Sequence, residues 1–289
     1  MAGGTWSYTD KPVLPGLYLN FQAAALASVQ AGERGTVAIP VKAHWGPVRQ
    51  FVEITDETGL INTYSSDTSN GATAYTIGRL ALLGGAKKVL CYRLADSQAA
   101  KATLTLKDTA GTNVLKLDAK YEGARGNNFR VTVQQNAIDS TKKDLLLYEG
   151  TNLLCTFTFA ATGIQNAVDA INNNSTNVWI TASKIADGNG TLANITGATF
   201  SGGNSGIANI TATDYVNYLS ALEGQEFNIL ALDGVSDSAI QASVVAWVAR
   251  VREAGKLVMA VLGGSLSDDT ATDAVTKAVQ RSSTFNHEG

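Results

Sequence analysis

Residues 227 to 262 constrain the fold more than any other stretch of the chain. Phe227 to Leu232 is a short, almost unbroken apolar run ending in Asp233-Gly234, and a helix signal follows at once. Ser236 or Asp237 is placed to cap the first turn, Ile240, Val244, Val248 and Val251 recur at helical spacing, and Gly255 stands where a left-handed residue closes a helix. Leu257 to Leu262 is a second apolar run, closed by Gly263-Gly264. Two continuously apolar strands joined by a helix of about four turns predict a right-handed βαβ unit, because parallel strands covered on both faces need a crossover of this length.

The same order recurs upstream. Gly35 to Val41 is expected as a strand, Trp45-Gly46-Pro47 as a turn and Gln50 to Thr55 as another strand. After a polar stretch, Ala72 to Leu83 is expected as a helix with Ala74, Ile77, Leu80 and Ala81 on one side, ended by Gly84-Gly85 before a strand over Lys88 to Leu94. These elements are predicted to join the sheet of the later βαβ unit.

Beyond residue 100 strands dominate, at Ala102 to Leu106, Val114 to Ala119, Phe129 to Gln134, Asp144 to Tyr148, Leu153 to Phe159 and Asn177 to Thr181, with one short helix near Gly163 to Asn172. Helical periodicity returns only after Ser201-Gly202-Gly203-Asn204-Ser205-Gly206, a tract expected to be a hinge or return linker. The expected organisation is therefore an α/β core over 21–100 plus 207–289, a β-rich domain inserted at 101–206, and an extended arm at 1–20. Thr213 is expected to cap a helix through Val216, Leu219 and Leu222, and a last helix carrying Val275 and Val279 is expected from Asp268-Asp269. Because no returning strand follows it, the core is expected to be incomplete at the C-terminus. At the end of the arm, Leu17-Tyr18-Leu19-Asn20 with the adjoining Phe21 is an extended apolar-aromatic segment that must pair with its own sheet or with a neighbour's edge.

Charged residues make up only 16% of the chain and the net charge is −3, which supplies no clustered cations for nucleic acid. No apolar run reaches about 18 residues and no signal peptide opens the chain, so membrane insertion is not expected and a cytosolic site of synthesis is. Cys91 and Cys155 are expected as buried free thiols. Of the two histidines, His44 lies beside a turn and His287 near the end, and no G-x-S-x-G elbow accompanies them. Gly84-Gly85-Ala86-Lys87-Lys88 and Gly263-Gly264-Ser265 fit neither phosphate-binding glycine pattern. Asp268, Asp269 and Asp273 are expected as helix-start residues and Asp233 as a turn former. No catalytic, cofactor or metal residue is assigned. The most distinctive local string is Tyr121-Glu122-Gly123-Ala124-Arg125-Gly126-Asn127, a tight turn whose arginine can fork onto a carboxylate and whose expected role is to set how the inserted domain leaves its stem.

Three stretches carry a family resemblance: Pro15 to Phe21, Ala31 through Pro40 to Trp45-Gly46-Pro47, and the Tyr121–Asn127 string with Tyr121, Gly123, Arg125, Gly126 and Asn127 in place. They resemble contractile tail sheath proteins of phages and prophages, and the core from Phe227 resembles the non-catalytic, subtilisin-like sheath domain. The resemblance implies a structural subunit, not an enzyme. Copies of it would stack as six-fold rings around a tail tube protein, with baseplate and tail terminator proteins as further partners. It would assemble in the host cytoplasm into a virion tail or tail-like particle, and the sheath would contract to drive the tube through the host envelope. In such an assembly Leu17 to Phe21 would belong to an inter-subunit arm. The competing expectations are a nucleotide-binding or hydrolytic α/β enzyme, and a carbohydrate-binding surface module built on the β-rich segment.

Overall fold

The computed structural model describes residues 35 to 286 and residue 289. The chain enters as β1 (Thr36–Val41), buried along almost its whole length as an inner strand must be, and returns as β2 (Phe51–Ile54). Where only a polar stretch is expected, α1 (Glu57–Tyr64) forms. Its signals are local: Asp56 accepts the Gly59 N–H at 2.8 Å, and Leu60 and Tyr64 are buried one turn apart. The next helix, α2 (Ala74–Leu83), leads to β3 (Lys88–Arg93). Its packed side differs from expectation, since Leu80 is 57% exposed. A Cβ at Gly78 would stand 2.9 Å from the Leu60 methyl carbons, so the glycine is the point where α1 and α2 touch. The packed stripe therefore runs through Ala74, Ile77, Gly78, Ala81 and Leu82, at i, i+3, i+4, i+7 and i+8.

The β-rich part follows as β4 (Thr103–Lys107), β5 (Asn113–Ala119), β6 (Phe129–Gln135), β7 (Lys142–Glu149), β8 (Asn152–Ala160), α3 (Ile164–Asn172), β9 (Ile180–Lys184) and β10 (Ile195–Thr199). The strands pair antiparallel into a three-stranded sheet, β4-β5-β9, and a four-stranded sheet, β10-β6-β7-β8. Period-two alternation turns Phe129, Val131 and Val133 inward and leaves Arg130 and Gln134 outward. Both sheets and the apolar side of α3 close on one core. β9 lies later than the strand expected at Asn177 to Thr181. β10 is not expected at all, being largely exposed and interrupted by Gly197.

Asp108 clips this region at the β4–β5 turn. One carboxylate oxygen accepts the N–H groups of Ala110 and Thr112, and the other that of Asn189 on the loop before β10. The Asn189 N–H is the largest of the influences that hold the carboxyl below its ordinary value, with the turn amides adding to it. The folded state therefore binds fewer protons than the unfolded chain as pH drops below about 4, and the stabilisation present above that pH is lost as pH falls through the depressed value. Urea midpoints measured from pH 7 to pH 3 are expected to fall less steeply for Asp108→Asn than for the parent; parallel curves would show that the clip does not titrate with folding.

The chain then returns to α/β structure as α4 (Ala212–Leu222), β11 (Ile229–Ala231), α5 (Ser238–Glu253), β12 (Met259–Val261), α6 (Leu266–Asp269) and α7 (Ala274–Phe285). Thr211 caps α4 in place of the expected Thr213, because the reciprocal bond needs an acid three residues on, and Asp214 supplies it. Val216 points outward while Tyr215, Tyr218, Leu219 and Leu222 are buried. Between Ser236 and Asp237, it is Asp237 that caps α5, accepting from Ala239 and Ile240 at 3.0 Å, and Gly255 closes the helix at φ +91°. Asp237→Ala is expected to cost about 1 kcal/mol, read as a lower urea midpoint with unchanged slope. Where one final helix is expected, two form; in α7 no residue is buried, and Val275 is 79% exposed.

Strands from both ends of the described chain make one sheet, in the order β12-β11-β1-β3-β2. All neighbours are parallel except β2, which runs antiparallel to β3. Ile229 aligns with Met259 and Ala231 with Val261, so β11, α5 and β12 form the expected βαβ unit with shorter strands than the apolar runs. Alternate residues of β1 and β3 point to opposite faces. Ile39, Val41, Val89 and Cys91 pack under α1 and α2, and Ala38, Leu90 and Tyr92 pack under α4 and α5. Burial pushes the free Cys91 thiol up to about 12, whereas Cys155 on β8 is only half-buried.

Candidate functional site: the junction of the α/β and β-rich regions

Two crossings join the regions: residues 94 to 102 leave β3 for β4, and residues 200 to 211 return from β10 to α4. The crossings pair with each other. Ala100 and Asn204 exchange N–H···O bonds of 2.9 Å, and Thr103 bridges to Ser201. The glycine-rich tract 201–206 is thus one side of a hydrogen-bonded stem. Asp96 secures its foot, donating its N–H to the Gly206 carbonyl at 2.7 Å and accepting the Asn209 N–H at 2.9 Å.

The Tyr121–Asn127 turn wraps this stem. Gly123 donates its N–H to the Ala100 carbonyl at 3.1 Å and holds φ +151°, and a Cβ there would overlap the His44 carbonyl oxygen. A Cβ on Gly126 would be 2.8 Å from that of Ala102. The Asn127 side-chain amide exchanges two bonds of 2.8 Å with the Gly203 backbone, taking the place of a strand neighbour. Arg125 forks onto Glu149 at the end of β7, Nε to Oε1 at 2.6 Å and Nη2 to Oε2 at 2.9 Å. Its guanidinium lies 5.0 Å from the Trp179 ring centroid and 5.7 Å from that of Trp45.

Three residues from the α/β side complete the junction. Trp45, 1% exposed, packs edge-on against Tyr121 at 5.3 Å and Phe129 at 5.4 Å, inside the core of the β-rich region. Arg93, the last residue of β3, is 0% exposed; its Nη1 donates at 2.7 Å to both the Gly46 and Glu122 carbonyls and its Nη2 at 3.2 Å to that of Ser205. Burial lowers its pKa to about 10, which still leaves it charged at neutral pH. A guanidinium suits the position because it offers five donors in a fixed fork. His44 bonds the Ser69 carbonyl through Nε2 at 2.9 Å, so that nitrogen carries the hydrogen. Its Nδ1 lies in hydrogen-bond contact with the Ser205 hydroxyl at 2.7 Å, and the same Ser205 oxygen accepts the Ala124 N–H at 2.9 Å.

The sequence singles out the turn, and Tyr121, Gly123, Arg125, Gly126 and Asn127 all meet here. It marks Trp45 only as part of a turn and not as a core residue of the other region, and it does not single out Arg93 or Ser205; the one trace of Arg93 is that it puts a charge into an otherwise apolar strand end. An open cleft of about 450 Å³ beside the junction is lined by His44, Asp67, Asn70, Arg125, Asn127 and Glu149 among others. Its charged groups already have partners within the chain, Asp67 accepting from Ser69 and Glu149 from Arg125.

The other positions considered from sequence lie apart. Asp233 pairs with Lys42 Nζ at 3.1 Å and accepts from Tyr215 at 2.8 Å, and burial first, then the neighbouring carboxylate, raises the phenol's pKa. The Gly263 carbonyl accepts from the Gln241 side chain at 2.7 Å, and Ser265 caps α6. Asp268 holds Lys277 and Arg281 at 3.2 and 3.1 Å. Leu17, Tyr18, Leu19, Asn20, Phe21 and His287 fall outside the described residues. Among the described residues no group of three or more His, Cys, Asp or Glu is placed to hold a metal ion, and no helix is long and apolar enough to cross a membrane.

Three family models match end to end. They are the tail sheath protein Gp18 domain III N-terminal region over residues 34–94, the phage tail sheath protein beta-sandwich domain over 95–209, and the phage tail sheath protein central domain over 208–289. The phage-like element PBSX protein XkdK of Bacillus subtilis is 28% identical over 287 residues, covering 96% of this chain and 59% of its own; the uncharacterized protein YqbK of the same organism is 28% identical over 300 residues with the same coverage. The solved sheath tail protein Lin1278 of Listeria innocua is 30% identical with TM-score 0.64, covering 83% of this chain and 50% of that one. The sheath tail protein DSY3957 of Desulfitobacterium hafniense is 27% identical with TM-score 0.62, covering 86% and 52%. The chain thus spans about 59% of the length of these curated relatives and about half that of the solved ones. The β-sandwich match begins and ends on the two crossings of the stem, sheath domains flank it on both sides, and the chain belongs to the phage tail sheath protein family.

Proposed function

We propose that this chain is the structural subunit of a contractile tail sheath that stacks as six-fold rings around a tail tube protein, meets baseplate and terminator proteins at its ends, and shortens to drive the tube through the host envelope. Assembly takes place in the host cytoplasm. The α/β part, 21–100 with 207–289, is the subtilisin-like sheath core without catalysis, and 101–206 is the inserted β-rich domain. Residues 1–20 are an extended arm, and Leu17, Tyr18, Leu19, Asn20 and the adjoining Phe21 add a strand to a neighbouring subunit. Tyr121, Gly123, Arg125, Gly126 and Asn127 set the angle at which the inserted domain leaves its stem.

The observation that carries this proposal is the unbroken run of three sheath domain matches in chain order over residues 34 to 289. The low charge, 16% of residues, favours surfaces that re-pair between copies over surfaces that repel. Contraction of such a lattice requires each interface to have two packings, the contracted one lower in free energy, so that a change at one end spreads through neighbours.

The test is negative-stain electron microscopy of the purified full-length protein, with and without residues 17 to 21. Cog-wheel tubes from the parent and isolated rings or monomers from the deletion are expected. Tubes that stay joined after the deletion would refute the arm, and a parent that never forms rings or tubes would refute the assembly.

A further inference from the structure

We propose that the β-rich region does not fold or open on its own, and that Trp45 and Arg93 make it one cooperative unit with the α/β region. An inserted domain on a plain linker has its own core and few contacts crossing its boundary. Here the boundary is crossed three times by buried groups.

The first crossing is apolar. Trp45 precedes β2 and follows β1 by four residues, yet its ring is part of the β-rich core, against Phe129 and Tyr121 and beside Trp179. Unfolding of the α/β sheet frees the segment that carries Trp45, and its withdrawal leaves a void against the fully buried Phe129 and the partly buried Tyr121 and Trp179.

The second is ionic. Arg93 ends β3 and draws its three acceptors from the turn after β1, from the Tyr121–Asn127 turn and from the returning crossing. Parting the two regions takes acceptors away from a cation that is 0% exposed, before water can replace them. The third is the bonded set of His44, Ser205 and Ala124, in which a single hydroxyl serves both sides. Partial separation therefore loses apolar contact and hydrogen bonds together and creates nothing in return. Such a boundary gives way all at once.

The test uses native-state hydrogen exchange on the full chain with a remote substitution. Val248→Ala removes a buried side chain from α5, in the cluster formed by α4, α5 and one sheet face, a cluster that includes no residue of the β-rich core. Protection of α/β amides such as Leu90 is expected to fall about tenfold or more, and that of β-rich amides such as Val131 and Leu145 by the same factor. Unchanged protection at Val131 and Leu145 while Leu90 loses its own would overturn the proposal. Arg93→Lys keeps the charge but cannot fork to three carbonyls, so adding it is expected to shrink the share of the Val248→Ala effect that reaches the β-rich amides. Equal loss in both sets with Arg93→Lys present would remove Arg93 from the coupling. If Arg93→Lys does not accumulate as folded protein, Val248→Ala alone decides whether the regions are coupled.

Discussion

Replacing Trp45 by alanine is expected to lower the stability of the chain by about 3–5 kcal/mol, the range for deleting a buried aromatic side chain whose surroundings cannot collapse. The surroundings here are rigid. Phe129 sits at the head of β6, Tyr121 opens the hydrogen-bonded turn, and Arg125, which lies over the Trp45 ring, is held by its fork to Glu149. None of these groups can fill the hole without giving up a bond of its own. Trp45→Phe keeps part of the apolar area and is expected to lose clearly less. Urea unfolding at neutral pH measures both, and a Trp45→Ala midpoint close to that of the parent would mean that the ring is not part of the core.

Gly123→Ala is expected to cost about 3 kcal/mol or more, from two sources that can be separated. The backbone at φ +151°, ψ 156° is a conformation essentially confined to glycine, worth roughly 1–3 kcal/mol of strain in any other residue. To this is added the overlap of the new Cβ with the His44 carbonyl oxygen, a backbone atom that already accepts the Arg125 N–H. Gly111→Ala provides the comparison. Gly111 also has positive φ, +89°, but a Cβ there meets nothing within 4 Å, so its substitution pays for conformation alone. Equal losses at the two positions would show that the turn shifts freely away from His44 and that the close approach at Gly123 has no energetic weight.

Much of the fold was legible where a residue's neighbours in sequence are also what decides its state. The apolar runs around Leu230 and Ala260, the 240, 244, 248 and 251 stripe of α5, and Gly255 at its end predict the βαβ unit correctly, because buried parallel strands and an amphipathic crossover leave local periodic patterns. The failures have local causes as well. α1 leaves little trace in sequence because only Leu60 and Tyr64 mark its buried side, and the stripe of α2 is hard to place because Gly78 carries no hydrophobic signal although a Cβ there would press on Leu60. β10 is not legible because a mostly exposed strand has no face to advertise.

The junction divides in the same way. The Tyr121–Asn127 string announces a turn by itself, since glycine spacing and a forked cation are properties of consecutive residues. That the arginine would find Glu149, that Trp45 would cross into the other region's core, and that the two terminal nitrogens of Arg93 would find the carbonyls of Gly46, Glu122 and Ser205 depends on residues separated by up to 112 positions. Amino-acid order by itself determined the periodic elements, the family likeness and the place of the turn, because those are encoded within a few residues. Tertiary structure alone decided which buried groups share a boundary, because burial and carbonyl direction exist only once distant segments have closed on one another.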